Sequence, residues 1–109
     1  MEQFEKVNDE IVNIISSKLI NYIKDLYSKV KNSLPYNLTE YQIKIWFKYA
    51  IMNSYNLKEI VILNINNLDI IKSLEKKKSE LSIVYTRYLT NKIMNKFYEL
   101  LNTELFNKN

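Results

Sequence analysis

The 109-residue chain contains no cysteine, no histidine and no glycine. Without cysteine there is no disulfide, no thiolate nucleophile and no cysteine-based zinc site. Without histidine, the commonest general base and the commonest transition-metal ligand are both missing. Without glycine, the familiar phosphate-binding loops cannot form, because their backbone must approach the phosphates closely. These absences predict a protein that is not an enzyme and give no reason to expect a cofactor or a metal.

Long apolar runs are also missing. The densest one, Ile60–Leu63, is far shorter than the roughly 18 apolar residues of a membrane-spanning helix. The first six residues, Met1–Lys6, are acidic and lack the apolar run of a signal peptide. From this we expect a soluble, cytoplasmic chain without a membrane partner.

What is present is enough to build one core. Hydrophobic residues make up 47% of the chain and aromatic residues 13%, which is typical of a folded protein. The length fits one domain spanning residues 1–109. Asn, Ile, Lys and Tyr supply about half of the residues, and because A/T-rich codons encode all four, we hypothesise an AT-rich genome such as that of a virus or mobile element.

Two helices are predicted before residue 54. Apolar residues recur every three or four positions from Phe4 to Val30, and Pro35 follows as a helix terminator. A second helix starts after Thr39, which forms a capping box with Gln42, and it extends from Glu40 to about Asn53. This helix is apolar on nearly all sides, a pattern typical of a helix in the centre of a core or partly in an interface.

The second half of the chain has weaker signals for where its helices begin and end. Residues 59–65 are rich in β-branched side chains, but no partner strand exists elsewhere, so a short helix is favoured over a strand. From Leu68 to about Phe106 the apolar spacing is helical and lapses at Lys77 and Lys78, which predicts one long helix or two joined near Lys78. The predicted fold is therefore all-α, a bundle of three to four helices with long first and last helices.

The charge is positive and uneven. The net charge is +4, and the surplus lies in the last predicted helical segment. Side chains of this kind could neutralise phosphates, so we predict a candidate nucleic-acid-binding set. A solvated helix face in a lysine-biased proteome is the alternative interpretation. The set comprises Lys72, Lys76, Lys77, Lys78, Arg87, Lys92 and Lys96.

Aromatic residues crowd between positions 36 and 55. On a capped helix of a small domain we expect most of them to belong to the core. Any that remain exposed would form the hot spot of a protein interface. The candidate interface residues are Trp46, Phe47, Tyr49 and Met52.

The run Leu38-Thr39-Glu40-Tyr41-Gln42-Ile43-Lys44-Ile45-Trp46-Phe47 resembles the start of the recognition helix of homeodomains, Leu-Thr-Glu-Arg-Gln-Ile-Lys-Ile-Trp-Phe. Together with the following Met52, the likeness covers about fifteen residues. The family continues with Gln-Asn-Arg-Arg, which carries its base-reading Asn and phosphate-binding Arg, whereas this chain continues with Lys48-Tyr49-Ala50-Ile51. We therefore interpret the likeness as shared helix patterning.

Three classes of function follow. The leading prediction is a nucleic-acid-associated accessory factor with largely sequence-independent, salt-sensitive binding through the basic set. The second is a protein-interaction module or inhibitor. An enzyme would require converging carboxylates, and the pairs Glu75 with Glu80 and Glu99 with Glu104 are spaced so that they diverge. Because two long amphipathic helices would be incompletely covered by one short hairpin, a homodimer is a further hypothesis.

Overall fold

A computed structural model describes residues 2–33, 38–53, 56–77 and 80–106, with side chains from residue 5 onward. All regular secondary structure in the described part is helical. Its helices are α1 Glu2–Ser33, α2 Glu40–Met52, α3 Asn56–Asn66, α4 Asp69–Lys76 and α5 Leu81–Leu101, and α5 continues into a π-helical segment, Asn102–Phe106. The all-α prediction with long first and last helices is confirmed. Pro35, Tyr36, Tyr55 and Lys78 lie outside the described residues.

The number of helices differs from the predicted three to four, since five α-helices are described. The last predicted segment is two helices, because α4 ends with Lys77 as its C-cap and α5 begins at Leu81. The lysine run supplies no apolar side chain to hold a continuous helix against the core. Residues 59–65 lie within α3, so helix was the right choice there over strand.

The two long helices pack against each other and run in the same direction. Near their starts, the Tyr85 hydroxyl donates a hydrogen bond to Asn8 Oδ1. Near their ends, Lys24 Nζ lies 3.2 Å from a carboxylate oxygen of Glu104. α5 is the central helix of the fold, since α1, α3 and α4 all pack against it. Its buried face carries Leu89, Ile93, Phe97 and Leu101 at the helical spacing.

The molecule is elongated, measuring 56 × 25 × 17 Å. α2 lies near the C-terminal ends of the two long helices, because the Phe47 ring contacts the rings of Tyr27 and Phe106. The α4–α5 hairpin lies at the opposite end, where α5 begins. At about 1.5 Å per residue, Leu81 and Phe106 are separated by roughly 37 Å of helix.

Candidate interaction surfaces

α2 carries an apolar stripe on each of two opposite sides. One stripe consists of Ile43, Phe47 and Ile51, which recur every four residues and are buried. At about 100° per residue, the opposite side of the helix carries a second stripe at the spacing i, i+4, i+8, i+11, with Trp46 beside it. The four residues of this stripe and Trp46 are all exposed. We call this surface the outer α2 face: Tyr41, Ile45, Trp46, Tyr49 and Met52.

The buried side of α2 is held by aromatic contacts. The Phe47 ring meets the Tyr27 ring edge-on, with 5.2 Å between centroids, and lies 6.4 Å from the Phe106 ring. Such ring pairs add roughly 0.5–1.5 kcal/mol each beyond the area that they bury. Thr39 caps the helix, accepting from the Gln42 backbone N–H at 3.1 Å while its own N–H donates to the Gln42 side chain at 2.9 Å. The outer α2 face therefore stands on a well-anchored helix.

The charged side chains of α2 lie toward its own chain. Lys31 Nζ is 3.1 Å from Glu40 Oε1, and this hydrogen bond lowers the pKa of the Glu40 carboxyl, with further lowering by the charges of Lys31 and Lys44. Lys48 Nζ lies 5.7 Å from the centre of the Phe106 ring, within the range of a cation–π contact. The outer α2 face itself carries no charge.

The outer α2 face is comparable in size to the largest apolar patch of a typical monomer. Tyr41 and Tyr49 are each 73% exposed and Trp46 is 56% exposed. Since aromatic side chains carry roughly 150–250 Å² each, these three alone present roughly 300–500 Å². The largest apolar patch on a typical monomer is about 300–600 Å² and is often functional. Ile45 and Met52 enlarge the patch further.

The exposure of the α2 side chains can be compared with what the sequence predicted for this helix. Trp46, Tyr49 and Met52 are exposed, as a binding surface requires. Phe47 is only 2% exposed, so its placement among the interface residues was wrong. The expectation that most aromatics here are core was wrong for Tyr41, Trp46 and Tyr49, because α2 packs by one side only against the ends of the long helices. Two members of the face, Tyr41 and Ile45, were absent from the predicted set.

A second apolar surface lies at the opposite end of the molecule. A groove of about 450 Å³ runs between α4 and the start of α5. Lys92 lies at its edge, with Nζ 5.6 Å from the Tyr88 ring centre. This groove was not predicted, although apolar residues stand on both sides of the lysine run in the sequence. Its lining residues are Ile70, Leu74, Leu81, Val84, Tyr85 and Tyr88.

The predicted nucleic-acid-binding set does not form one surface. Lys72, Lys76 and Lys77 are exposed on α4 and its C-cap. Arg87 lines a cleft between α3 and α5 together with Lys58. Lys78 lies outside the described residues.

Lys92 and Lys96 lie on another side of α5, in a cleft between α1 and α5 that also contains Asp9 and Glu99. Lys96 Nζ is 3.9 Å from a carboxylate oxygen of Glu99. These two lysines therefore lie in a mixed-charge environment, and Asp9 enters it from a helix that is distant in sequence.

Among the described residues, no group of three or more aspartate or glutamate side chains converges as a metal site would require. None of the described helices combines the length and the apolar character that a membrane crossing needs. Comparison of the chain with protein-family models, with curated proteins and with solved structures finds no match.

Proposed function

We propose that this chain is a non-enzymatic protein-interaction module and that the outer α2 face binds the partner. The observation that carries the proposal is the combination of large apolar exposure with a complete lack of charge on one side of an otherwise anchored helix. Buried Trp and Tyr residues dominate the hot spots of protein interfaces, each costing about 2 kcal/mol or more of binding energy when truncated. Trp46, Tyr41 and Tyr49 supply side chains of this kind.

The outer α2 face lies on a helix that is already formed and held in place in the free chain. The Thr39 cap and the packing of Phe47 hold α2 in place before any partner arrives. A helix that is already formed loses less conformational entropy on binding than a segment that has to fold. The outer α2 face therefore acts as a preformed ridge for docking against an apolar surface.

The test is affinity capture from cells that express the tagged full chain, with and without nuclease. We expect nuclease-resistant capture of a protein partner that Tyr49→Ser reduces at least tenfold, about 1.4 kcal/mol. The matched control is Tyr88→Ser, which removes an exposed tyrosine at the opposite end of the molecule. Capture that depends on Tyr88 and ignores Tyr49 would reject the outer α2 face as the binding surface.

A nucleic-acid-associated role is the second candidate. The observation that favours it is the cluster on α4 and its cap, where Lys72, Lys76 and Lys77 are exposed and form no ion pair within the described part of the chain. Such lysines contribute sequence-independent phosphate contacts and release counterions.

This second role predicts an affinity for duplex DNA that falls steeply with salt. Replacing the three α4 lysines by alanine should flatten the dependence of log K on log salt by about three units, because each phosphate contact contributes roughly 0.9. The control replaces Lys92 and Lys96, whose cleft also holds carboxylates, and should change the slope less. Salt-independent affinity of the unmodified chain would reject this role.

A further inference from the structure

We infer that the partner of the outer α2 face is a second copy of this chain, with the two α2 helices packed antiparallel about a two-fold axis. This inference rests on the proposed function, since it uses the same surface. Three properties of that surface favour a second copy: the symmetric spacing of its residues, its lack of charge and its area.

The spacing of the stripe is nearly the same when read in either direction. Ile45 and Tyr49 lie equally far from position 47, and Tyr41 and Met52 lie equally far from a point half a residue earlier. A two-fold axis perpendicular to α2 at this point places Ile45 opposite Tyr49 of the second copy. The same axis places Tyr41 opposite Met52, a pair in which the sulfur can contact the ring. Isologous dimers require self-complementarity of this kind.

Charge favours the same arrangement. Each copy has a net charge of +4, so two copies repel each other weakly at long range. The five members of the outer α2 face are uncharged and add nothing to this repulsion. Glu40 is engaged by Lys31, and Lys48 lies over the ring of Phe106. The five members of the face therefore place no like charges opposite each other, and the Lys48 amines, whose residues flank the axis in both copies, lie over the rings of Phe106.

The area is sufficient for a dimer of modest affinity. The three exposed aromatics of both copies together present roughly 600–1,000 Å². Complete burial of these side chains together with Ile45, Met52 and the exposed Leu38 would bring the total to the lower end of specific interfaces, about 1,200 Å². We expect dissociation in the micromolar range or weaker.

The absence of native cysteine allows a clean test by disulfide cross-linking in the full chain. In the antiparallel dimer, Tyr41→Cys of one copy lies opposite Met52→Cys of the other, so a mixture of the two variants should form a disulfide-linked dimer under mild oxidation. Met52→Cys alone should not, because its two cysteines lie about 16 Å apart along the helix axis, beyond the reach of a disulfide.

A matched control replaces the exposed Val84 at the opposite end of the molecule. Val84→Cys mixed with Tyr41→Cys should give no more cross-linking than random collision. Preferential Met52-to-Met52 cross-links would overturn the antiparallel arrangement. The unmodified chain should show a concentration-dependent increase toward twice the monomer mass in sedimentation equilibrium, and a monomer up to near-millimolar concentration would overturn the second-copy assignment.

The outcome for the dimer and the outcome for the proposed function can be separated. A chain that remains monomeric but captures another protein in a Tyr49-dependent manner rejects the second copy and leaves the interaction function intact. A dimer that persists unchanged in Tyr49→Ser and cross-links through residues outside α2 rejects both.

Discussion

Two buried or half-buried tyrosines have hydroxyl groups in opposite situations. The hydroxyl of Tyr27 is buried and has no hydrogen-bond partner within the described part of the chain. Burial raises its pKa, partly offset by the nearby charge of Lys31. The hydroxyl of Tyr85 donates to Asn8, whose side chain is buried between the long helices. The same chemical substitution at the two positions should therefore have opposite effects.

We predict that Tyr27→Phe raises the free energy of unfolding by about 1 kcal/mol, because it removes a polar group that is desolvated without compensation. Tyr85→Phe should lower it by about 1–3 kcal/mol, because the Asn8 oxygen loses its donor in a buried site. Urea denaturation of both variants measures the two effects side by side. Equal effects of the same sign would contradict this assignment of the hydroxyl groups.

The Lys31–Glu40 ion pair connects the end of α1 to the start of α2. In the fold, the hydrogen bond from Lys31 lowers the pKa of Glu40 below its ordinary value of 4.5. A carboxyl with a lowered folded-state pKa contributes stability above its unfolded-state pKa and loses it as the pH falls through the folded-state value. The contribution is therefore present at neutral pH and lost in acid.

NMR titration of the Glu40 carboxyl should give a pKa below 4.5. In Lys31→Ala the pKa should rise toward its ordinary value, because the two largest causes of the lowering both come from Lys31. Lys29→Ala, on the same stretch of α1, is the control and should leave the Glu40 pKa unchanged. A Glu40 pKa that does not respond to Lys31→Ala would show that the pair does not form.

At the scale of the element, α2 shows what local sequence signals can and cannot specify. Thr39 and Gln42 predicted its start, and both hydrogen bonds of the capping box are present. The signals are local, so one stretch of sequence contains all of them. The side of α2 that becomes buried was not predictable, because the helix is apolar on both sides. That choice depends on Tyr27 and Phe106, which come from distant parts of the chain.

Neighbouring residues of α2 should therefore separate stability from binding. We predict that Phe47→Ala lowers the free energy of unfolding by about 3–5 kcal/mol, because it leaves a cavity between α2 and the long helices. Tyr49→Ser should change it by no more than about 0.5 kcal/mol, because the side chain is exposed. Thermal or urea unfolding measures the first effect, and sedimentation of folded Tyr49→Ser should show weakened self-association.

At the scale of the whole molecule, the parallel pair of long helices places the two apolar surfaces at opposite ends. The stripes of α1 and α5 were predictable from their spacing, but their relative direction was not, because it depends on contacts such as Asn8 with Tyr85. The predicted nucleic-acid-binding residues lie on different surfaces for the same reason, because contacts between distant parts of the chain decide which side of each helix is exposed. Residues close in sequence, such as Arg87 and Lys92, face different clefts once α5 is packed on both α1 and α3.

Trp46 is the only tryptophan of the chain, and it belongs to the outer α2 face. Its fluorescence therefore reports directly on whether this face becomes covered. We predict that the emission maximum shifts to shorter wavelength as the protein concentration rises, and that Tyr49→Ser abolishes the shift while Tyr88→Ser preserves it. If the emission maximum stays constant while sedimentation shows that the chain associates, the outer α2 face is not the surface through which it associates, because that face remains exposed.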